Sequence, residues 1–314
     1  MADKDITEKA LEAYNDVFAD IVNNLVFDGS LVVSEEDLEP GRERSVYSGE
    51  KQLREQERDT SKFWKSKNIR IALFGLENET EPEDDMPFRV IGYDGAAYRD
   101  QIRFVKSKNG VRRKKMDRYP VITLVLYFGF EKRWDKAKSI YDVIGDGMDD
   151  LVRPFVNDYK INLFEIAYLP EETISGFRSD FRFVADYFSQ KRRTGTYIGS
   201  EQSMIHVREV TQLLSALTGD DRFYDTVEEA QKQGKEIKTM CKVLDEIEER
   251  GIEKGIEKGI EKGKILEFIS IRREDGYSDK RITEKLMERF NMTLDTARKA
   301  LADFMAGPEA TARR

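Results

Sequence analysis

Three carboxylates in this chain are spaced as a small acid cluster would be. Glu77 and Glu79 flank Asn78 at the end of an apolar run, IRIALFGL, over residues 69–76. Side chains alternate along an extended strand, so Glu77 and Glu79 point the same way. Asp59 lies 18 residues before Glu77, which suits the partner strand of a hairpin. Carboxylates brought together without a cation repel one another and resist full ionisation. Mg²⁺ resolves that conflict, because it takes hard oxygen ligands and binds through one or two carboxylates plus substrate phosphate. Such an ion activates water and shields the phosphate under attack. A chain with 61 acids also produces such a trio as plain solvated charge, and both readings stand at this point.

The rest of the composition narrows the chemistry. A single histidine, His206, excludes two-histidine metal sites and His-Asn-His nuclease centres within one subunit, and it reads as structural. A single cysteine, Cys241, excludes an internal disulfide and a cysteine-cluster zinc site, which fits a reducing, cytoplasmic compartment. A hydrolytic centre here therefore rests on carboxylates, lysines or hydroxyls. No apolar run approaches the ~18 residues of a membrane span, and the first ten residues lack a signal-peptide core. The net charge of −8 argues mildly against a nucleic-acid partner, but residues 103–118 carry eight basic side chains against Asp117 alone. That local charge, which includes Arg112, Arg113, Lys114 and Lys115, suits a phosphate backbone as well as a solvated hairpin.

These residues need elements to position them. Apolar spacings of three and four predict a helix over residues 5–27, with Tyr14 and Phe18 in the core. Residues 35–62 read as a polar loop or hairpin leading into a strand at 69–76 that is buried on both faces. A helix follows from about Met86 to Ile102, with Arg89 and Tyr93 one turn apart near the acids, placed for packing, ion pairing or phosphate contact. The Asn109-Gly110 pair signals a hairpin turn. Core strands are predicted at 121–130 and 161–168, with an acidic helix over 140–156 between them. Residues 177–217 read as helical with a break at 190–196, and 225–250 as a charged helix. The sequence GIEK then repeats three times over 251–262, with Ile252, Ile256 and Ile260 aligned, as a partnered helix or a tether. Residues 265–304 read as a small helical hairpin, compatible with a helix-turn-helix or a helical cap.

Four segments together carry a resemblance: ERDTSK at 57–62, IRIALFGLENET at 69–80, DDMPFRVIGYDGAAYRDQI at 84–102 and RYPVITLVLYFG at 118–129. They resemble the bacterial recombination-promoting nuclease and transposase family, within the PD-(D/E)xK nuclease superfamily, and the GIEKG repeat is similar to tails found there. The resemblance covers about residues 5–190 and the repeat. It implies an α/β fold with a restriction-endonuclease-like mixed sheet core flanked by helices, and an α-helical C-terminal extension. The implied division is a nuclease-like domain at 1–190, a helical extension at 191–250, the GIEK segment at 251–263 and a helical tail at 264–314.

The implied activity is metal-dependent endonuclease cleavage of DNA in recombination or mobile-element biology, with Mg²⁺ or Mn²⁺ as cofactor. Asp59, Glu77 and the Asn78 carbonyl would hold the metal, and Asp59, Glu77 and Glu79 would be catalytic. Arg89, Arg112, Arg113, Lys114 and Lys115 would contact DNA. Glu79 falls where the superfamily usually has Lys and this family often has Gln. The alternative is a catalytically inactive nuclease fold serving as a DNA-binding or helical assembly module. Strand transfer is weaker, since no second acid cluster of that type stands out. The expected partners are DNA and a second copy joined through the C-terminal helix, with no membrane.

Overall fold

A computed structural model describes residues 11–41, 44–48, 53–57, 59–66, 69–107, 110–114 and 118–306. The chain divides into two compact units, residues 1–244 and 245–314. In the first, β5 (Ile69–Glu79) and β8 (Val121–Tyr127) form the centre of a five-stranded mixed sheet. The sheet order is β1 (Leu38–Pro40), β4 (Thr60–Ser66), β5, β8 and β9 (Asn162–Glu165). β1–β4 and β4–β5 are antiparallel, while β5–β8 and β8–β9 are parallel. Two hairpins stand apart from it: β2 (Arg44–Ser48) with β3 (Leu53–Glu57), and β6 (Arg103–Ser107) with β7 (Gly110–Lys114).

Helices cover both faces of the sheet, as the unbroken apolar runs of β5 and β8 predict. On one face α2 (Met86–Asp100) packs Met86 and Val90 against Val125, Tyr127, Trp134 and Ile161. Phe63, Leu73 and Val121 form a second cluster with Ala97 on that side. On the other face lie α1 (Asn15–Val26), which buries Phe18, and α5 (Phe181–Thr194), whose Phe181 and Phe188 rings meet Phe128. Pro87 falls in the first turn of α2, where its missing N–H costs nothing, and the Asp85 carbonyl accepts from the amides of Phe88 and Arg89.

Several predicted elements take a different form. Residues 5–10 of the expected N-terminal helix lie outside the described residues, and the remainder is interrupted at Ala13 and Tyr14 before α1 begins. The break frees the Ala13 carbonyl, which accepts from the buried Lys62 ammonium, and Lys62 also donates to Asn15 Oδ1 at 2.6 Å. Tyr14, placed in the core by its spacing, is instead exposed and donates to Glu209. Phe18 is fully buried, as expected. The helix expected over 140–156 is only α3 (Ile140–Ile144), because Gly145 turns to φ +54 and Pro154 follows within a later short turn. Strand β9 ends at Glu165 in a 3-10 turn rather than reaching residue 168, and the short helix α4 (Glu171–Gly176) follows. The helical stretch after α5 breaks over 195–206, later than expected, before α6 (Val207–Thr218). The charged helix expected over 225–250 is two helices, α7 (Arg222–Lys232) and α8 (Met240–Glu274), separated where Gly234 adopts φ +73.

In the second unit, α9 (Asp279–Phe290) and α10 (Leu294–Ala306) pack with the end of α8 around Ile269, Ile282, Leu286, Ala297 and Leu301. Asn291 makes the predicted turn at φ +49, a conformation that asparagine adopts more readily than most residues. The GIEK repeat lies inside α8 as continuous helix.

Asp94, buried on α2, ties that helix to the sheet: it accepts from Thr123 Oγ1 at 2.7 Å and from the Tyr159 hydroxyl. Replacing it strips both hydroxyls of that acceptor inside the core. Asp94→Ala is therefore expected to lose about 1–3 kcal/mol, read as a lower midpoint in urea. An unchanged midpoint would mean that the clasp contributes nothing.

Candidate functional site: an acid cluster at the end of the central strand

The sequence-predicted acids meet where β5 leaves the sheet. Thr60 pairs with Leu76, so Asp59, one residue earlier, comes beside Glu77. Asp59 Oδ2 accepts from the Asn78 amide at 2.7 Å, which fixes the carboxylate at the strand end. Glu77 is 1% exposed. By alternation, Glu77 and Glu79 share the β5 face of Leu73, the face that α2 covers. The Asn78 side chain turns to the opposite face, and its amide atoms are buried with no hydrogen-bond partner among the described residues.

Arg89 closes the cluster. Its guanidinium lies 2.7 Å from Glu79 Oε1, 3.2 Å from Glu77 Oε2 and 2.6 Å from Glu83 Oε2. It projects from the first turns of α2 over the strand end, and Tyr93, one turn on, also hydrogen-bonds to it. Nothing in the sequence marks Glu83 among the acids of EPEDD, and only the fold brings it to Arg89. Of the five basic residues expected to contact DNA, Arg89 is thus bound to carboxylates. Arg112, Arg113 and Lys114 lie on β7, and Lys115 is outside the described residues. Asn109 also lies outside them, while Gly110 pairs with Ser107 across the hairpin end.

Electrostatics follow from burial. Burial pushes the Glu79 carboxyl up to about 6, against the opposing pull of Arg89. Burial works to lower Arg89, but Glu79, Tyr93 and Glu83 together outweigh it and hold the guanidinium firmly charged. Burial, then the nearby Glu77, raises Tyr93. By donor type, Asp59, Glu77 and Glu79 suit Mg²⁺ or Mn²⁺. Among the described residues, however, no group of three or more His, Cys, Asp or Glu side chains is gathered as a metal ion would gather them. The positive charge facing the acids is that of Arg89.

Beside the cluster, Thr80 and Glu81 continue from β5 into the wall of a hollow of about 740 Å³, whose rim also carries Lys132 and Lys191. The hollow lies at the carboxyl ends of parallel β5 and β8, where open α/β sheets commonly bind ligands. His206 takes no part in the cluster; it stacks on Tyr14 and lies 3.2 Å from Asp16. No family model matches the chain, and no curated protein or solved structure matches it.

The raised carboxyl of Glu79 gives a signed pH dependence. Its protonated form favours folding, so that contribution is complete below about pH 4.5 and is lost as pH rises through about 6. Glu79→Gln removes this component. Between pH 4.5 and 7 the wild type should lose about 2 kcal/mol relative to the variant, measured by urea denaturation in chelator-treated buffer. Parallel stability curves for the two proteins would refute the shifted carboxyl.

Proposed function

We propose that this protein is a metal-dependent endonuclease that hydrolyses DNA phosphodiester bonds. The observation that carries this reading is the placing of Asp59 beside Glu77, with Glu79 next on the same strand face, at the carboxyl end of a buried strand. The resemblance of the four segments between residues 57 and 129 to the recombination-promoting nucleases supports it, as does a mixed sheet in which α2 and the β6–β7 hairpin connect β5 to its parallel neighbour β8. The proposed fold is accordingly the restriction-endonuclease-like core.

Asp59, Glu77 and the Asn78 carbonyl are the proposed holders of Mg²⁺ or Mn²⁺. Such an ion supplies an activated water and neutralises phosphate charge. Glu79 is the proposed proton acceptor: a carboxyl near 6 is ionised at neutral pH yet basic enough to take a proton from water. Arg89 holds Glu77 and Glu79 in place. The basic strand β7, with Arg112, Arg113 and Lys114, is the proposed track for the DNA backbone. A second reading, an inactive nuclease fold that binds DNA or assembles helices, is favoured by one observation: Arg89 already supplies the cation that these acids need.

Supercoiled plasmid incubated with purified protein and Mg²⁺ or Mn²⁺ separates the two. Nicking is expected, with a loss of 100-fold or more (roughly 3 kcal/mol of barrier) in Asp59→Ala and in Glu77→Ala. Nicking that survives both changes, or DNA binding with no nicking at all, favours the inactive fold.

The basic hairpin has its own measurement. Replacing Arg112, Arg113, Lys114 and Lys115 together by Ala should reduce the log–log salt slope of DNA binding by about 0.9 for each phosphate that is no longer neutralised. An unchanged slope would assign that hairpin to solvent.

A further inference from the structure

The GIEK repeat presents an apolar surface that its own helix does not bury. Ile252, Ile256 and Ile260 are 55%, 58% and 53% exposed, although each lies well inside the 35-residue α8. Beside them run Gly251, Gly255, Gly259 and Gly263, where an added Cβ would meet nothing within 4 Å. A row of bulky side chains thus lies next to a row with none. Each glycine also lowers helix stability relative to alanine, so the segment is weaker alone than its length suggests.

Successive residues in a helix are about 100° apart, so the four repeat positions take the four sides of α8 in the order Lys, Gly, Ile, Glu. Glycine and isoleucine form one apolar face. Glu253, Glu257 and Glu261 border its isoleucine side, and Lys254, Lys258 and Lys262 border its glycine side. We infer that this face pairs in parallel with the same face of a second copy of the chain. The two-fold axis of a parallel pair brings the left flank of one helix against the right flank of the other. The isoleucine ridge of each copy then enters the glycine groove of its partner, and each glutamate row faces a lysine row. An antiparallel pair would set isoleucine on isoleucine, glutamate on glutamate and lysine on lysine.

The four-residue spacing also specifies how the helices meet. Ridges and grooves that both follow i±4 rows interdigitate at a crossing angle of about −50°. Contact is therefore confined to the repeat. Association on so short a surface is weak and concentration-dependent. This inference does not depend on the nuclease reading.

Analytical ultracentrifugation of the full chain over a wide concentration range tests it. A reversible dimer is expected. The triple variant Ile252→Ala/Ile256→Ala/Ile260→Ala, which retains helix because alanine is the better helix former, should associate about tenfold or more weakly. Gly255→Leu/Gly259→Leu should also weaken pairing, by filling the groove while strengthening the isolated helix. Orientation is read in a Cys241→Ser background carrying Ile252→Cys or Ile260→Cys, treated with a short bismaleimide. In a parallel pair each variant cross-links to itself. In an antiparallel pair only the mixture of the two cross-links well. A monomer at every concentration, a dimer indifferent to the isoleucine or glycine substitutions, or cross-linking confined to the mixture would each overturn the proposal.

Discussion

The first unit turns on a charge that has to be balanced where water cannot reach it. Glu77 follows the apolar run of a strand covered on both faces, two residues before that strand ends, and it is almost wholly buried. A carboxylate in such a place survives as an ion only if a cation is brought to it. Arg89 is that cation, and it reaches the acid because α2 starts directly after β5 and lies across the strand end. The crossover from β5 through α2 to β8 therefore sets both the fold of the sheet and the cation that faces the acids. Asp59 joins from the neighbouring strand through the Asn78 amide, which makes the cluster a property of three elements rather than of one loop.

Much of this was legible in the sequence for a simple reason. The runs at 69–76 and 121–130 are apolar at odd and even positions alike, and only a strand covered on both sides accommodates that. The hairpin distance from Asp59 to Glu77 was legible too, since strand length and turn length restrict it. The role of Arg89 was not. Its meeting with Glu79 and Glu83 depends jointly on the parity of β5, the rotation of α2 about its axis and the path of the turn between them. Spacing fixes each only loosely. Residues 140–156 misled for a different reason: their apolar spacing resembles a helix, but Gly145 and Pro154 break the backbone ladder that spacing alone assumes. Tyr14 misled because a helix phase extended through residue 14 ignores the break that Lys62 stabilises from the sheet.

The second unit follows another rule. Its small core forms where α9 and α10 fold back on the last turns of α8, and Ile265, Phe268 and Ile269 serve that core. The GIEK segment earlier in the same helix has apolar side chains only at Ile252, Ile256 and Ile260, and these remain exposed. One continuous element thus carries two kinds of surface, one closed by its neighbours in sequence and one left facing outward.

That one guanidinium serves three acids has a consequence for how the site varies. Glu77, Glu79, Glu83 and Arg89 form a single thermodynamic unit, so the effect of changing any one depends on which of the others are still present. Removing Arg89 alone strands negative charge, whereas removing it together with Glu79 strands far less. The four positions can drift only in company, and a suppressor of a defect at one of them is to be sought among the other three.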